Sequence, residues 1–169
     1  MDRIEARVLK KDGELKVVYV LVGELSQLRI PSPAVPSRRE RLWEHTCFEL
    51  FIGAKNDAEY YEFNFSPSGD WAVYGFRDYR EGELIEDDAL APAISACQEA
   101  GTMELSAEIQ LDRLPGLQLD VGLVVGLSAV IEDDAGRLSY WALKHPPGKP
   151  DFHHGDSFAL EIPFPGRKS

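Results

Sequence analysis

A period of two runs through Thr46-Cys47-Phe48-Glu49-Leu50-Phe51-Ile52 and through Glu59-Tyr60-Tyr61-Glu62-Phe63-Asn64-Phe65, with a row of apolar or aromatic residues at alternate positions in each. Side chains in a β-strand point alternately to opposite faces, so each segment is predicted to be a strand. Alternate positions from Phe48 to Ile52 form the apolar face of the first strand. Glu49 lies on its other face, and Glu62 and Asn64 lie opposite the Tyr/Phe row of the second. Asn56-Asp57 favours a turn, which would make the two strands antiparallel neighbours.

The same period recurs along most of the chain. Further strands are predicted over residues 3–10, 14–22, 71–76, 103–111, 122–131, 138–143 and 157–162. Residues 77–101 are polar and irregular, and only a helical turn near 88–91 is predicted there. Eight or nine strands without a long helical period predict an all-β fold. We expect an antiparallel two-sheet β-sandwich, immunoglobulin-like or jelly-roll-like, with few or no long helices.

Length and charge limit the classes of partner. The 169 residues fit a single domain spanning 1–169. The formal net charge of -11 disfavours nucleic acids and anionic lipid surfaces. The one basic cluster, Arg38-Arg39-Glu40-Arg41, is predicted to be a solvated loop. No stretch approaches the roughly 18 apolar residues of a membrane span. Neither a nucleic acid nor a membrane is therefore expected as a partner, which leaves a small-molecule ligand as the class that the candidate site below addresses.

Cysteine usage and the first residues bear on the compartment. Cys47 and Cys97 lie far apart and belong to no C-x-x-C pair, which gives no support to a zinc or thioredoxin-type motif. The segment MDRIEARVLKKDGELK has no apolar stretch of the kind found in export signals. We therefore expect a cytoplasmic protein with reduced cysteines.

The outward faces of the two opening strands carry the first candidate site. Glu49, Glu62 and Asn64 could converge there, with Tyr60, Trp71 and Trp141 bordering the same surface. Acids and amides form hydrogen bonds to sugar hydroxyls, and flat rings cover the apolar face of a pyranose. This combination predicts sugar recognition. The alternative is that both glutamates are ordinary solvent-facing strand residues.

A second cluster follows Trp141 and contains three of the four histidines. Histidine and aspartate can ligate transition metals. The candidate ligands are His45, His145, Asp151, His153 and His154. Lys144 and Lys149 could instead hold an anion. No H-E-x-x-H, G-x-S-x-G or phosphate-binding motif is present, so catalysis is less expected than binding, although Glu49 and Glu62 could form an acid/base pair.

Several runs together resemble a known group. They are Leu42-Trp43-Glu44-His45-Thr46-Cys47-Phe48-Glu49-Leu50-Phe51, Tyr61-Glu62-Phe63-Asn64-Phe65-Ser66-Pro67-Ser68-Gly69 with Trp71, Tyr140-Trp141-Ala142-Leu143-Lys144-His145-Pro146 and Gly148-Lys149-Pro150-Asp151-Phe152-His153. They look like the DOMON-like group, which is related to family nine carbohydrate-binding modules, and in particular like its small stand-alone bacterial members. The resemblance implies a β-sandwich with a concave ligand-binding face.

Relatives in that group bind sugars or, in some DOMON branches, haem. The resemblance implies that sugar-contacting roles fall to Trp43, Glu49, Glu62, Asn64, Trp71 and Trp141, and we add Lys144 and His145 as candidate ligand-binding residues. Haem would require a histidine pair, because Met103 lies on a predicted core face. No cofactor is required by the sequence.

Three hypotheses therefore stand. The first is a binding module for a sugar or sugar-like metabolite. The second is a metal- or haem-dependent protein, possibly catalytic, that uses the group His45/His145/His153/His154. The third is a protein-interaction domain without a small ligand, which would show a flat apolar patch in place of a cleft. The sequence leaves the ligand and the oligomeric state open.

Overall fold

The structure is a computed structural model that describes residues 1–165. Within them lie eleven strands: β1 Arg3–Lys11, β2 Glu14–Val22, β3 Cys47–Ala54, β4 Tyr60–Phe65, β5 Trp71–Asp78, β6 Glu81–Leu84, β7 Ala93–Glu99, β8 Thr102–Gln110, β9 Leu123–Glu132, β10 Leu138–Ala142 and β11 Leu160–Ile162. Short 3-10 helices span Leu25–Gln27, Leu42–Glu44, Asp88–Leu90, Leu111–Arg113 and Gly155–Ser157. No helix in this part of the chain is long and apolar enough to cross a membrane.

The strands form two antiparallel sheets. One has four strands in the order β1-β2-β8-β7. The other has seven strands in the order β10-β9-β3-β4-β5-β6, and β11 also pairs with β9. The predicted all-β, two-sheet sandwich without long helices is thereby confirmed.

The core lies between the two sheets and follows the alternation seen in the sequence. Alternate residues of β2, from Leu15 to Leu21, are buried against the alternate residues of β3 that include Phe48 and Leu50. The rings of Tyr19 and Phe48 lie 5.0 Å apart, and the Tyr19 hydroxyl donates a hydrogen bond of 2.7 Å to the backbone oxygen of Glu49. A polar bond thus joins the sheets directly beneath the outer face of β3.

The outer face of the seven-stranded sheet is largely covered by loops. Every residue of β3 is buried, on both faces of the strand. At Gly126 of β9, a Cβ atom would lie only 3.1 Å from the backbone oxygen of Ser157, so the segment after β10 rests directly on this sheet. The segment that precedes β3 is bound to the turn between β4 and β5, where Ala34 N donates a hydrogen bond of 2.9 Å to Ser68 O. These loops leave one part of the face open.

Two strands were missed by the sequence analysis. Residues 77–101 contain β6 and β7 in addition to the 3-10 turn at Asp88–Leu90. Both lie at sheet edges, where only Leu84, Ile94 and Ala96 are partly buried. Edge strands need few apolar residues and commonly carry charges, so their period is weak in the sequence.

The basic cluster is neutralised by neighbouring acids. Arg38 pairs with Asp88 at 2.6 Å, and Arg39 pairs with Asp70 at 3.1 Å. Arg41 pairs with Glu44 within its own loop. These guanidinium groups therefore present little unbalanced positive charge.

Candidate functional site

The open part of the outer face is a cleft of about 370 Å³. Its lining consists of Trp43, Glu49, Glu62, Tyr74, Phe76, Arg80, Val130, Tyr140, Pro150, Asp151, Phe152 and His153. We call this set the aromatic cleft. Pockets for small ligands usually fall between about 300 and 1,000 Å³, so the cleft is large enough for a compact ligand.

Two glutamates form the floor of the aromatic cleft. Glu49 on β3 lies opposite Asn64 of β4 and Ser128 of β9. Glu62 on β4 lies opposite Phe51, one diagonal step from Glu49. The structure thus brings Glu49, Glu62 and Asn64 together on one face. Antiparallel pairing of strands with this alternation produces the arrangement.

Each floor carboxylate has a polar neighbour. Ser128 Oγ donates to Glu49 Oε2 at 3.2 Å. When the side-chain amide of Asn64 is oriented with its nitrogen toward Glu62, it donates a hydrogen bond of 2.9 Å to Glu62 Oε1. Asn64 is fully buried and does not line the cleft. It therefore holds Glu62 in place and does not itself reach a ligand.

His153 closes one end of the floor. Its Nε2 lies 3.5 Å from Glu62 Oε2, and its Nδ1 lies 2.9 Å from the Tyr60 hydroxyl. That hydroxyl oxygen accepts the backbone N–H of Arg80 at 3.2 Å, so its proton is free for Nδ1. A neutral His153 then carries its ring proton on Nε2, facing Glu62.

Burial governs the ionisation of the floor. Burial raises the pKa of Glu62 to about 7, against a hydrogen bond from Asn64 and the charge of Arg80. Burial, reinforced by Glu62, also raises the pKa of Glu49 well above its usual value. Burial lowers the pKa of His153 to about 4, helped by Arg80. The floor therefore retains protons near neutral pH while His153 is uncharged.

Aromatic rings stand on both sides of this floor. Trp43 and Tyr74 have ring centroids 5.7 Å apart, and Tyr74 lies on β5, beyond Glu62 in the strand order. Tyr140 and Phe152 have centroids 6.2 Å apart, and Tyr140 lies on β10, beyond Glu49. Because β3 and β4 lie between β10 and β5, the two ring pairs flank the carboxylates.

The rim contains an ion pair. Arg80, in the β5–β6 turn, contacts Asp151 through Nη2 and Oδ1 at 2.8 Å. Although burial opposes ionisation, hydrogen bonds from Tyr79 and Arg80 hold the pKa of Asp151 below its usual range. Asp151 Oδ1 also accepts the backbone N–H of His153 at 3.1 Å. The pair thereby fixes the loop that carries His153.

Trp71 and Trp141 are not part of this surface, which corrects the expectation that they border it. Trp71 pairs with Phe65 and is only 4% exposed in the core, with Arg38 over its ring. Trp141 pairs with Ala129 and packs against the same core. The register of each hairpin turns these rings inward.

Lys144 and His145 lie in the bend after β10. Both are exposed, and neither lines the aromatic cleft. The His145 ring is 6.1 Å from Phe152, which does line it. The structure thus places both residues beside the cleft and outside it.

The histidines do not converge, which corrects the proposed group His45/His145/His153/His154. His45 binds Glu132 at 2.7 Å, and His154 lies 3.9 Å from Asp156. Asp151 forms an ion pair with Arg80, and of the four histidines His153 is the one that contacts the floor, through Glu62. Among residues 1–165, no three His, Cys, Asp or Glu side chains are grouped as metal ligands.

Sequence reasoning missed seven lining residues: Tyr74, Phe76, Arg80, Val130, Tyr140, Pro150 and Phe152. Tyr74 and Phe76 alternate within a predicted strand, so a correct hairpin register would have placed them beside Glu62. Arg80, Pro150 and Phe152 reach the cleft from turns and loops. No local pattern in the sequence gives their positions.

No family model matches the chain, and no curated relative does. Its structure is similar to that of a putative carbohydrate-binding protein from Bacteroides uniformis, with a TM-score of 0.66, 16% identity and coverage of 91% of this chain and 75% of that one. It is also similar to a family 9 carbohydrate-binding module from Caldicellulosiruptor kristjanssonii in complex with glucose, with a TM-score of 0.58, 13% identity and coverage of 99% and 80%.

The same kind of module in complex with cellotriose gives a TM-score of 0.53 at 14% identity, over 88% of this chain and 69% of that one. At such low identities the likeness shows a shared fold. The more specific DOMON-like resemblance stays a prediction. The chain therefore has the β-sandwich seen in these carbohydrate-binding proteins.

Proposed function

We propose that the protein binds a carbohydrate in the aromatic cleft. The observation that carries this proposal is the flanking of two floor carboxylates, Glu49 and Glu62, by ring pairs on both sides. A pyranose has apolar C–H faces and a polar edge of hydroxyl groups. Rings cover such faces, and carboxyl groups form hydrogen bonds with such edges.

The shared fold supports the proposal. Two of the similar structures are described as complexes with glucose and with cellotriose. The present cleft lies on one sheet of the same kind of sandwich. Its volume, about 370 Å³, lies within the range of pockets that bind small ligands.

Sugar affinity is expected to fall roughly tenfold when Trp43 is replaced by alanine, because an exposed stacking ring is lost. Titration calorimetry with glucose, cellobiose and cellotriose measures the parent and Trp43→Ala. The matched control is Trp141→Phe, which changes an indole on the opposite sheet face and should leave affinity unchanged. Equal affinity of the parent and Trp43→Ala, or binding lost only in Trp141→Phe, would place the sugar elsewhere.

A further inference from the structure

The floor carboxylates have no cationic partner in the part of the chain that the structure describes. Within residues 1–165, no Lys or Arg nitrogen lies within 4.0 Å of Glu49 or Glu62. Glu49 is only 3% exposed and lines the cleft, and its Oε1 receives no hydrogen bond within these residues. A buried carboxylate without a cation is costly, which is why burial raises the pKa of Glu49, and a cationic donor placed at this oxygen would favour the ionised form.

Arg80 does not supply that charge. Its guanidinium binds Asp151 at 2.8 Å and Tyr79 at 3.2 Å, and its side chain is 54% exposed. Asp151 neutralises it at the rim. The cleft therefore contains two acidic groups, Glu49 and Glu62, that form no ion pair with lysine or arginine among the described residues.

The walls suit a cation as well as a sugar face. Ring faces carry negative partial charge and attract ammonium groups within about 6 Å of the centroid. Trp43, Tyr74 and Phe76 stand on one side of the floor, and Tyr140 and Phe152 on the other. A positive group over Glu49 and Glu62 would lie among these rings and above two acceptors.

We infer that the ligand is an amino sugar, whose protonated amine binds over Glu49 and Glu62 while its ring lies between the aromatic walls. This inference rests on the proposed carbohydrate function and narrows it. No bond is made or broken. The ammonium group donates hydrogen bonds to carboxylate oxygens, and a charged donor strengthens such bonds.

Proton release follows from this arrangement. Burial raises the pKa of Glu62 to about 7, so at pH 6 the floor holds a proton on that carboxyl group. An ammonium ion favours the ionised carboxylate, and the proton passes to the buffer. The heat of binding at pH 6 should then depend on the ionisation enthalpy of the buffer.

The test compares matched sugars by calorimetry at pH 6, in phosphate and in MES. Glucosamine, galactosamine and mannosamine are each titrated beside the parent hexose and the N-acetyl derivative, which have the same ring but no positive charge. One hexosamine should bind roughly tenfold or more tightly than its two uncharged counterparts. It should also release protons to the buffer. Glu62→Gln should weaken this preference, and Glu104→Gln, on the exposed face of the other sheet, should keep it.

The outcomes separate the two proposals. Binding of hexoses with equal or higher affinity than hexosamines, and without buffer dependence, overturns the amino-sugar inference and leaves the carbohydrate function standing. Absence of binding for all of these sugars and for the cello-oligosaccharides overturns both. Because the parent protein alone gives these comparisons, the result does not depend on the folding of a variant.

Discussion

Replacing Glu62 with glutamine is expected to stabilise the protein by about 3 kcal/mol at pH 8 and to leave its stability at pH 4 nearly unchanged. The folded-state pKa of Glu62 is about 7, against an ordinary value of 4.5. Below pH 4.5 the carboxyl group is neutral in both states. As the pH rises to 7, the unfolded chain ionises first, so the folded state loses stability. Glutamine cannot ionise and avoids this loss.

Urea denaturation at fixed ionic strength, from pH 4 to pH 8, measures the difference between parent and variant. Glu104→Gln controls for the loss of one carboxylate from an exposed surface. Glu49 also has a raised pKa, and because the charge of Glu62 contributes to it, Glu62→Gln lowers the pKa of Glu49 and acts in the same stabilising direction at pH 8. A difference between parent and Glu62→Gln that stays constant with pH would mean that Glu62 ionises as freely as in water.

His153 is expected to lower the stability of the parent protein by about 2 kcal/mol as the pH falls from 7 to 4, and His153→Gln should not show this decrease. The folded-state pKa of His153 is about 4, against 6.5 ordinarily. Above pH 6.5 the ring is neutral in both states. As the pH falls, the unfolded chain takes up the proton first, which favours unfolding. The figure allows for solvent that reaches the 16% of the side chain that is exposed.

His154→Gln is the matched control, since this neighbouring histidine has a side chain that is 47% exposed and does not touch the floor. The same denaturation series compares all three proteins. Parallel pH curves for the parent and His153→Gln would refute a buried, neutral His153. Between about pH 4.5 and 6.5, Glu62 makes the free energy of unfolding fall as the pH rises, whereas His153 makes it rise. The Glu62→Gln variant should therefore show the contribution of His153 without that of Glu62, and the His153→Gln variant the reverse.

The strand pairing at the centre of the large sheet could be predicted from the sequence. The segments that became β3 and β4 each carry an apolar row at alternate positions and are joined by a turn at Asn56, whose φ is +67°. Edge strands β6 and β7 could not be found in this way, since Leu84 and Ile94 are among their few partly buried side chains. The loops that cover the outer face of β3 left no periodic signal.

The floor of the cleft was predictable for the same reason, and its walls were not. Hairpin register decides on which face a ring lies, and the Ser66-Pro67-Ser68-Gly69-Asp70 turn pairs Trp71 with Phe65. That register sends Trp71 into the core and Tyr74 into the cleft. Alternation alone does not fix register across a turn of unknown geometry. Phe152 reaches the cleft through a long loop, a contact that depends on the tertiary fold.

The indole N–H signals of the three tryptophans test the central claim most directly. In ¹⁵N-labelled protein titrated with the tightest-binding sugar, the Trp43 signal is expected to move, while those of Trp71 and Trp141 stay in place because both rings pack on the opposite sheet face. Tryptophan-to-phenylalanine variants assign the three signals. Movement of the Trp141 signal with an unchanged Trp43 signal would instead place the sugar in the hollow lined by Ile4, Leu127 and Trp141, and would contradict the account.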